Sequence, residues 1–99
     1  MKERRKSTRI PVYYPIRYAV TDLQTSYASV VEVAATIIDL SEQGFGIITE
    51  YPLRKGHVIT IREGKKEGIP HYGMVKWSKR INNQVRAGLG FLKLSRTKH

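Results

Sequence analysis

The stretch Val12-Tyr13-Tyr14-Pro15-Ile16-Arg17-Tyr18-Ala19-Val20 places Val12, Tyr14, Ile16, Tyr18 and Val20 at every second position. A period of two puts all five on one face of an extended strand, whereas a helix would scatter them around its circumference. One face of this segment therefore turns to a core. Pro15 has no backbone N–H to give to a neighbouring strand, so it marks an edge or a bulge.

Before this strand, Met1 to Ile10 is polar, charged and aperiodic, and Pro11 disfavours a helix running into it, so residues 1–10 read as an exposed, flexible basic arm. Downstream, Thr21 to Ser26 reads as a polar connection. The apolar segment Tyr27 to Leu40 is open between helix and strand in its first half, to Ala34, and reads as strand from Ala35 to Asp39. Ser41 to Gly44 is a tight turn into the strand Phe45 to Thr49. Tyr51 to Gly56 is a loop punctuated by Pro52 and Gly56, and His57 to Arg62 alternates again. After the charged turn Gly64 to Gly68, the segment Ile69 to Lys79 is a strand on which Gly73, Val75 and Trp77 are expected to share a side. Asn82 and Asn83 form a turn, and Val85 to Leu94 sets Val85, Ala87, Leu89 and Phe91 opposite Arg86, Gly88 and Gly90.

Five or six short strands with turn signals between them, and no secure long helix, predict an all-β antiparallel barrel, closed or nearly so. Closure suits a small chain because it removes exposed sheet edges. At 99 residues there is room for one core only, giving a single barrel domain at 11–99 behind the arm.

Lysine and arginine number 18 against 8 acidic residues, and a net charge of +10 points to an anionic partner: nucleotide, nucleic acid or membrane surface. No acidic residue follows Glu67, so the last third is uniformly basic. The absence of cysteine excludes disulfides and thiolate chemistry and fits a reducing, cytoplasmic location. No apolar run is long enough for a membrane span or a signal peptide. His57, His71 and His99 are scattered without a metal-ligand spacing, and no catalytic constellation is visible, so neither an enzyme, a metal site nor a cofactor is expected.

Two short elements stand out: Arg5-Lys6-Ser7-Thr8-Arg9 in the arm and Asp39-Leu40-Ser41-Glu42-Gln43-Gly44 at a strand-to-turn junction. In this order, with Thr36-Ile37-Ile38 before the turn, Phe45-Gly46-Ile47 after it and Gly88-Leu89-Gly90-Phe91 near the end, they resemble the two-part signature of the PilZ domain family. The resemblance covers nearly the whole chain. It implies a six-stranded barrel of split-barrel type that binds cyclic di-GMP, with Arg5, Arg9, Asp39, Ser41 and Gly44 as contacts. It also implies that Arg4, directly before the first signature arginine, accompanies an intercalated dimer of the ligand. Many members of that family continue into a helix after the last strand, and here the chain leaves room for little or none.

The chemistry of these residue types agrees. Cyclic di-GMP presents two phosphodiesters and two guanines, and a guanidinium can bond phosphate oxygens, grip the O6 and N7 edge of guanine, or stack on the base. A carboxylate such as that of Asp39 accepts from guanine N1–H and N2–H, and the Ser41 hydroxyl donates or accepts. Asp39 alternatively caps its own turn. Gly44 provides either a positive φ or a close approach that a Cβ would block. Trp77, the only tryptophan, is either core or a stacking surface near the barrel mouth.

The expected behaviour is an arm that orders over the barrel when ligand neutralises its arginines, creating a surface read by a separate effector protein. The chain would act as a monomer or homodimer. The alternative is a small-barrel RNA or single-stranded DNA binder, which the charge and the six tyrosines would also serve.

Overall fold

A computed structural model of the protein describes residues 8–23, 28–64, 66–67, 69 and 71–92. The strands are β1 (Ile10–Leu23), β2 (Ala28–Leu40), β3 (Gly44–Thr49), β4 (Val58–Glu63), β5 (Tyr72–Ile81) and β6 (Gln84–Leu92). They close in the order β1-β2-β3-β6-β5-β4, with β4 returning to β1, and every pairing is antiparallel. Among the described residues there is no helix.

The alternation read in β1 is the alternation that builds the core. Ile16, Tyr18 and Val20 are buried while Tyr13 and Arg17 are exposed. The same period puts Ile37 of β2, Phe45 and Ile47 of β3, Ile59 and Ile61 of β4, and Ala87 and Leu89 of β6 inside. Each large side chain among them contributes roughly 1.5–3 kcal/mol through burial. Leu53 and Ile69, from the loops before and after β4, join the same core.

The first half of the segment at Tyr27 to Leu40 resolves as strand. From Ala28 onward it pairs residue by residue with β1, and a helix cannot supply that ladder. Thr21 to Leu23 do not belong to a connection, because β1 continues through them against Ala28 to Val30. β5 begins at Tyr72, later than the expected Ile69, because Ile69 N–H closes a turn on the Lys66 carbonyl. The segment 93–99, where a terminal helix would lie, and residues 1–7 of the arm are outside the described residues.

Among the described residues, a polar side-chain pair is buried in the barrel. Tyr18 and Thr49 share a hydroxyl–hydroxyl hydrogen bond of 2.9 Å, and Thr49 Oγ1 lies 3.1 Å from the Ala34 carbonyl as a donor. Burial pushes the Tyr18 phenol above its ordinary value of 10.0, partly offset by the bond to Thr49. A raised folded-state pKa means that the folded form holds its proton longer than the unfolded chain. This contribution is therefore complete below pH 10 and is lost as pH rises through the folded value. Tyr18→Phe is expected to cost about 1 kcal/mol at neutral pH and to flatten the alkaline fall in stability. Urea unfolding of both proteins at neutral and alkaline pH measures this; equal alkaline slopes would exclude Tyr18 as the titrating group.

Candidate functional site

Two β-bulges decide which way the key side chains face. On β2, Ile37 pairs with Ile47 and Asp39 with Gly46, so Ile38 is an extra residue between the two pairs. On β5, Val75 pairs with Leu89 and Trp77 with Gly88, and Lys76 is the extra residue. A bulge breaks strict alternation and re-aims the residue beyond it. Ile37 and Val75 consequently face the core, while Asp39 and Trp77 face outward.

This corrects the expectation that Trp77 shares a side with Gly73 and Val75. The indole is 44% exposed on the outside of the barrel, so it is not a core residue.

The two re-aimed residues stand in one row. Asp39 pairs with Gly46, Gly46 with Gly88, and Gly88 with Trp77, across β2, β3, β6 and β5. The central glycines are what let the outer residues lie flat. A Cβ on Gly46 would fall 2.9 Å from Asp39 Oδ1, and one on Gly88 would fall 2.2 Å from Trp77 Nε1. The carboxylate therefore rests over one glycine and the indole over the next.

Charge gathers around the Asp39 end. Arg9 Nη1 donates to Asp39 Oδ1 at 2.6 Å, and Arg86 Nη2 stands 4.0 Å from Oδ2. Asp39 is only 15% exposed, whereas Arg9 is 52% exposed, so the carboxylate is the fixed partner and the arginine the reaching one. Lys79 sits opposite Arg86 on the neighbouring strand, and the Lys76 side chain lies over Gly90. The signature carboxylate is thus flanked by two arginines, which together exceed it in charge.

The turn after β2 is organised by Ser41, not by Asp39. Ser41 N–H donates to the Gly44 carbonyl at 2.9 Å, its hydroxyl oxygen accepts from Gln43 N–H at 3.2 Å, and its O–H reaches the Gly44 carbonyl at 3.4 Å. Asp39 is left with its arginines.

Gly44 has no positive φ; among the described residues that conformation belongs to Gly56, Gly64 and Asn82. Its need for glycine is close approach of protein backbone, because a Cβ there would lie 1.9 Å from the Leu89 carbonyl oxygen.

The structure thus brings together Arg9, Asp39 and Trp77 on one outer face, with Ser41 and Gly44 shaping the adjoining turn. Arg4 and Arg5 lie outside the described residues. Three residues of the face, Arg86, Gly46 and Gly88, were not singled out as site residues in the sequence. A signal for them existed: Arg86 and Gly88 share the outward parity of their strand, and glycine inside a strand often marks a close approach.

A depression of about 300 Å3 beside the turn is lined by Thr8, Ile10, Leu40, Ser41 and Glu42. That is the small end of ligand clefts, roughly 300–1,000 Å3, so a large ligand would lie on an open face. A second concavity, about 700 Å3 between Pro15, Arg17, Ala34 and Ile48, contains none of the signature residues.

No curated protein matches the chain. The PilZ domain family, known as receptors for cyclic di-GMP, matches it from residue 3 to residue 99, essentially end to end. With the closed six-stranded barrel and the arginine-aspartate junction in view, the chain belongs to the PilZ domain family.

Proposed function

We propose that the protein is a cyclic di-GMP receptor whose ligand lies on the outer face running from Asp39 to Trp77, with the arginine arm closing over it. The row of carboxylate, two glycines and indole carries this reading. The two glycines let the carboxylate and the indole lie flat against the sheet, so the indole offers a stacking surface and the carboxylate offers acceptors for guanine N1–H and N2–H. Arg9 has donors to spare beyond the one held by Asp39, and these serve phosphate or the guanine O6 and N7 edge. Arg86 adds a guanidinium on the other side of the carboxylate. Arg5 and Arg4 act from the arm, Arg4 on the second molecule of an intercalated ligand dimer.

In this mechanism Asp39 holds Arg9 in place before ligand arrives. The arm then starts from a tethered point, which lowers the ordering cost of folding it over an anion. Ligand charge neutralises repulsion among Arg4, Arg5 and Arg9, and the covered face becomes the surface that an effector protein reads. The chain performs no reaction of its own.

Titration calorimetry with cyclic di-GMP, cyclic di-AMP and linear GMP tests the proposal. Binding of the first alone is expected, at two per protomer if Arg4 holds a second molecule. Trp77 provides a parallel signal, because a guanine stacked near the indole changes its emission, and no other tryptophan contributes. Absence of both heat and fluorescence change with cyclic di-GMP overturns the reading. Sequence-tolerant binding of single strands with steep salt dependence would replace it with nucleic-acid binding.

A further inference from the structure

β2 is paired with β1 along its length, but with β3 only from Ala35 to Leu40. Among the described residues, no strand pairs with the other edge of residues 28–34, and only the Ala34 carbonyl is met there, by Thr49 Oγ1. About half of a long strand therefore has, among the described residues, a ladder without a second strand partner. Strand edges that must stay single are usually blunted by lysine, proline or a bulge. Ser29-Val30-Val31-Glu32-Val33 has neither residue type, and the β2 bulge comes only after Ile37. Val30 is 66% exposed, beside a shallow outer hollow that also includes Ala19, Thr21 and Val58.

The charge distribution indicates what fits this edge. Between Arg17 and Arg54 the chain has no lysine or arginine, and it carries Asp22, Glu32, Asp39, Glu42 and Glu50 there. In a chain of net charge +10, the edge itself, residues 29–33, carries Glu32 and no lysine or arginine, so two copies paired along it set no cation directly against another. Glu32, the one charge on the edge itself, already has Arg62 at 4.0 Å. Antiparallel self-pairing centred on Val31 sets Val31 against itself, Ser29 against Val33, and Val30 of each copy opposite Glu32 of the other. No like charges then stand directly opposite, and valines line both faces of the joint.

We propose that the protein forms a two-fold symmetric homodimer by antiparallel pairing of residues 29–33 of β2 with the same residues of a second copy. One continuous sheet then spans both barrels, and the isologous contact closes on itself because each copy uses the same edge. This inference does not rest on the ligand assignment.

Light scattering coupled to size exclusion, run on the full chain over a roughly hundredfold concentration range, tests it. At the upper concentrations the parent is expected at twice 11.4 kDa. Val30→Glu sets carboxylates opposite each other at both ends of the joint and is expected to run at the mass of one chain. Val30→Lys sets an ammonium opposite Glu32 and is expected to retain the dimer. Val30 is exposed, so both variants keep the fold, which their circular dichroism would verify. A parent that stays at one chain mass throughout overturns the proposal. So does a Val30→Glu protein that associates like the parent, or a Val30→Lys protein that does not associate.

Discussion

Arg9→Ala is expected to weaken cyclic di-GMP binding by about 1.5–3 kcal/mol, which is roughly a 10- to 150-fold rise in Kd, while leaving the barrel almost as stable as before. The two halves of this expectation have different causes. On the proposed binding mode, binding suffers because the guanidinium assigned to phosphate or guanine is gone, and because the arm loses its tether to Asp39. Stability barely changes because the pair is half open to solvent on the arginine side, where such bridges are worth about 0–1 kcal/mol. Arg9→Lys sharpens the test. Lysine keeps the charge but not the planar fork, so most of the loss should remain if geometry rather than net charge is what the ligand reads. Calorimetry on the three proteins at one salt concentration decides it; parental affinity in Arg9→Ala would remove Arg9 from the site.

Gly44→Ala is expected to destabilise the fold by about 3 kcal/mol or more, at the upper end of overpacking costs. The added Cβ would sit 1.9 Å from the Leu89 carbonyl oxygen and 3.1 Å from Gly90 Cα, and both are backbone atoms of β6 that no rotamer change can move aside. Relief requires β3 and β6 to part at the end of their ladder, where Gly44 pairs with Gly90. The same movement would strain the Phe91 N–H bond to the Gln43 carbonyl, so the signature turn would lose its attachment to the barrel. Urea unfolding monitored by Trp77 emission gives the number. A midpoint equal to the parent's would mean that β3 and β6 yield more easily than their geometry indicates.

These two residues illustrate different routes from motif to role. Arg9 and Asp39 are separated by thirty positions in the chain, and the antiparallel pairing of β1 with β2, which sets Pro11 beside Asp39, brings them to 2.6 Å. Gly44, the last residue of the turn motif, acts within the described structure through its contact with β6 backbone. A motif glycine that looks like a ligand clearance is here also a strand-packing requirement. The prediction for Gly44 therefore belongs to stability first, and any loss of binding in that variant must be read after correcting for the fraction folded.

Much of the architecture was legible in the residues. The period of two in β1 and β6 correctly named the buried faces, because an amphipathic strand has only two sides and water distinguishes them. The Asn82-Asn83 hairpin turn was legible from local chemistry alone, and Asn82 indeed takes a φ of 56° there. The first half of β2 was not legible, since Ala28, Ala34 and Ala35 suit helix as well as strand and the deciding partner, β1, is joined through sequence that gives no pairing signal. Trp77 was misplaced for a related reason: alternation counted from Val75 assumes a regular ladder, and the extra Lys76 breaks it.

Local periodicity and side-chain chemistry were thus enough for most of the strands, for the inward faces of β1 and β6, and for the two polar elements that carry the family resemblance. Tertiary pairing set Asp39 and Trp77 outward over Gly46 and Gly88, brought Arg86 beside Asp39, and left residues 28–34 of β2 without a second strand partner among the described residues. The physical reason is that bulges and free edges arise from how six strands of unequal length close one barrel. That matching is a property of pairs of strands, and no single strand carries it in its own pattern.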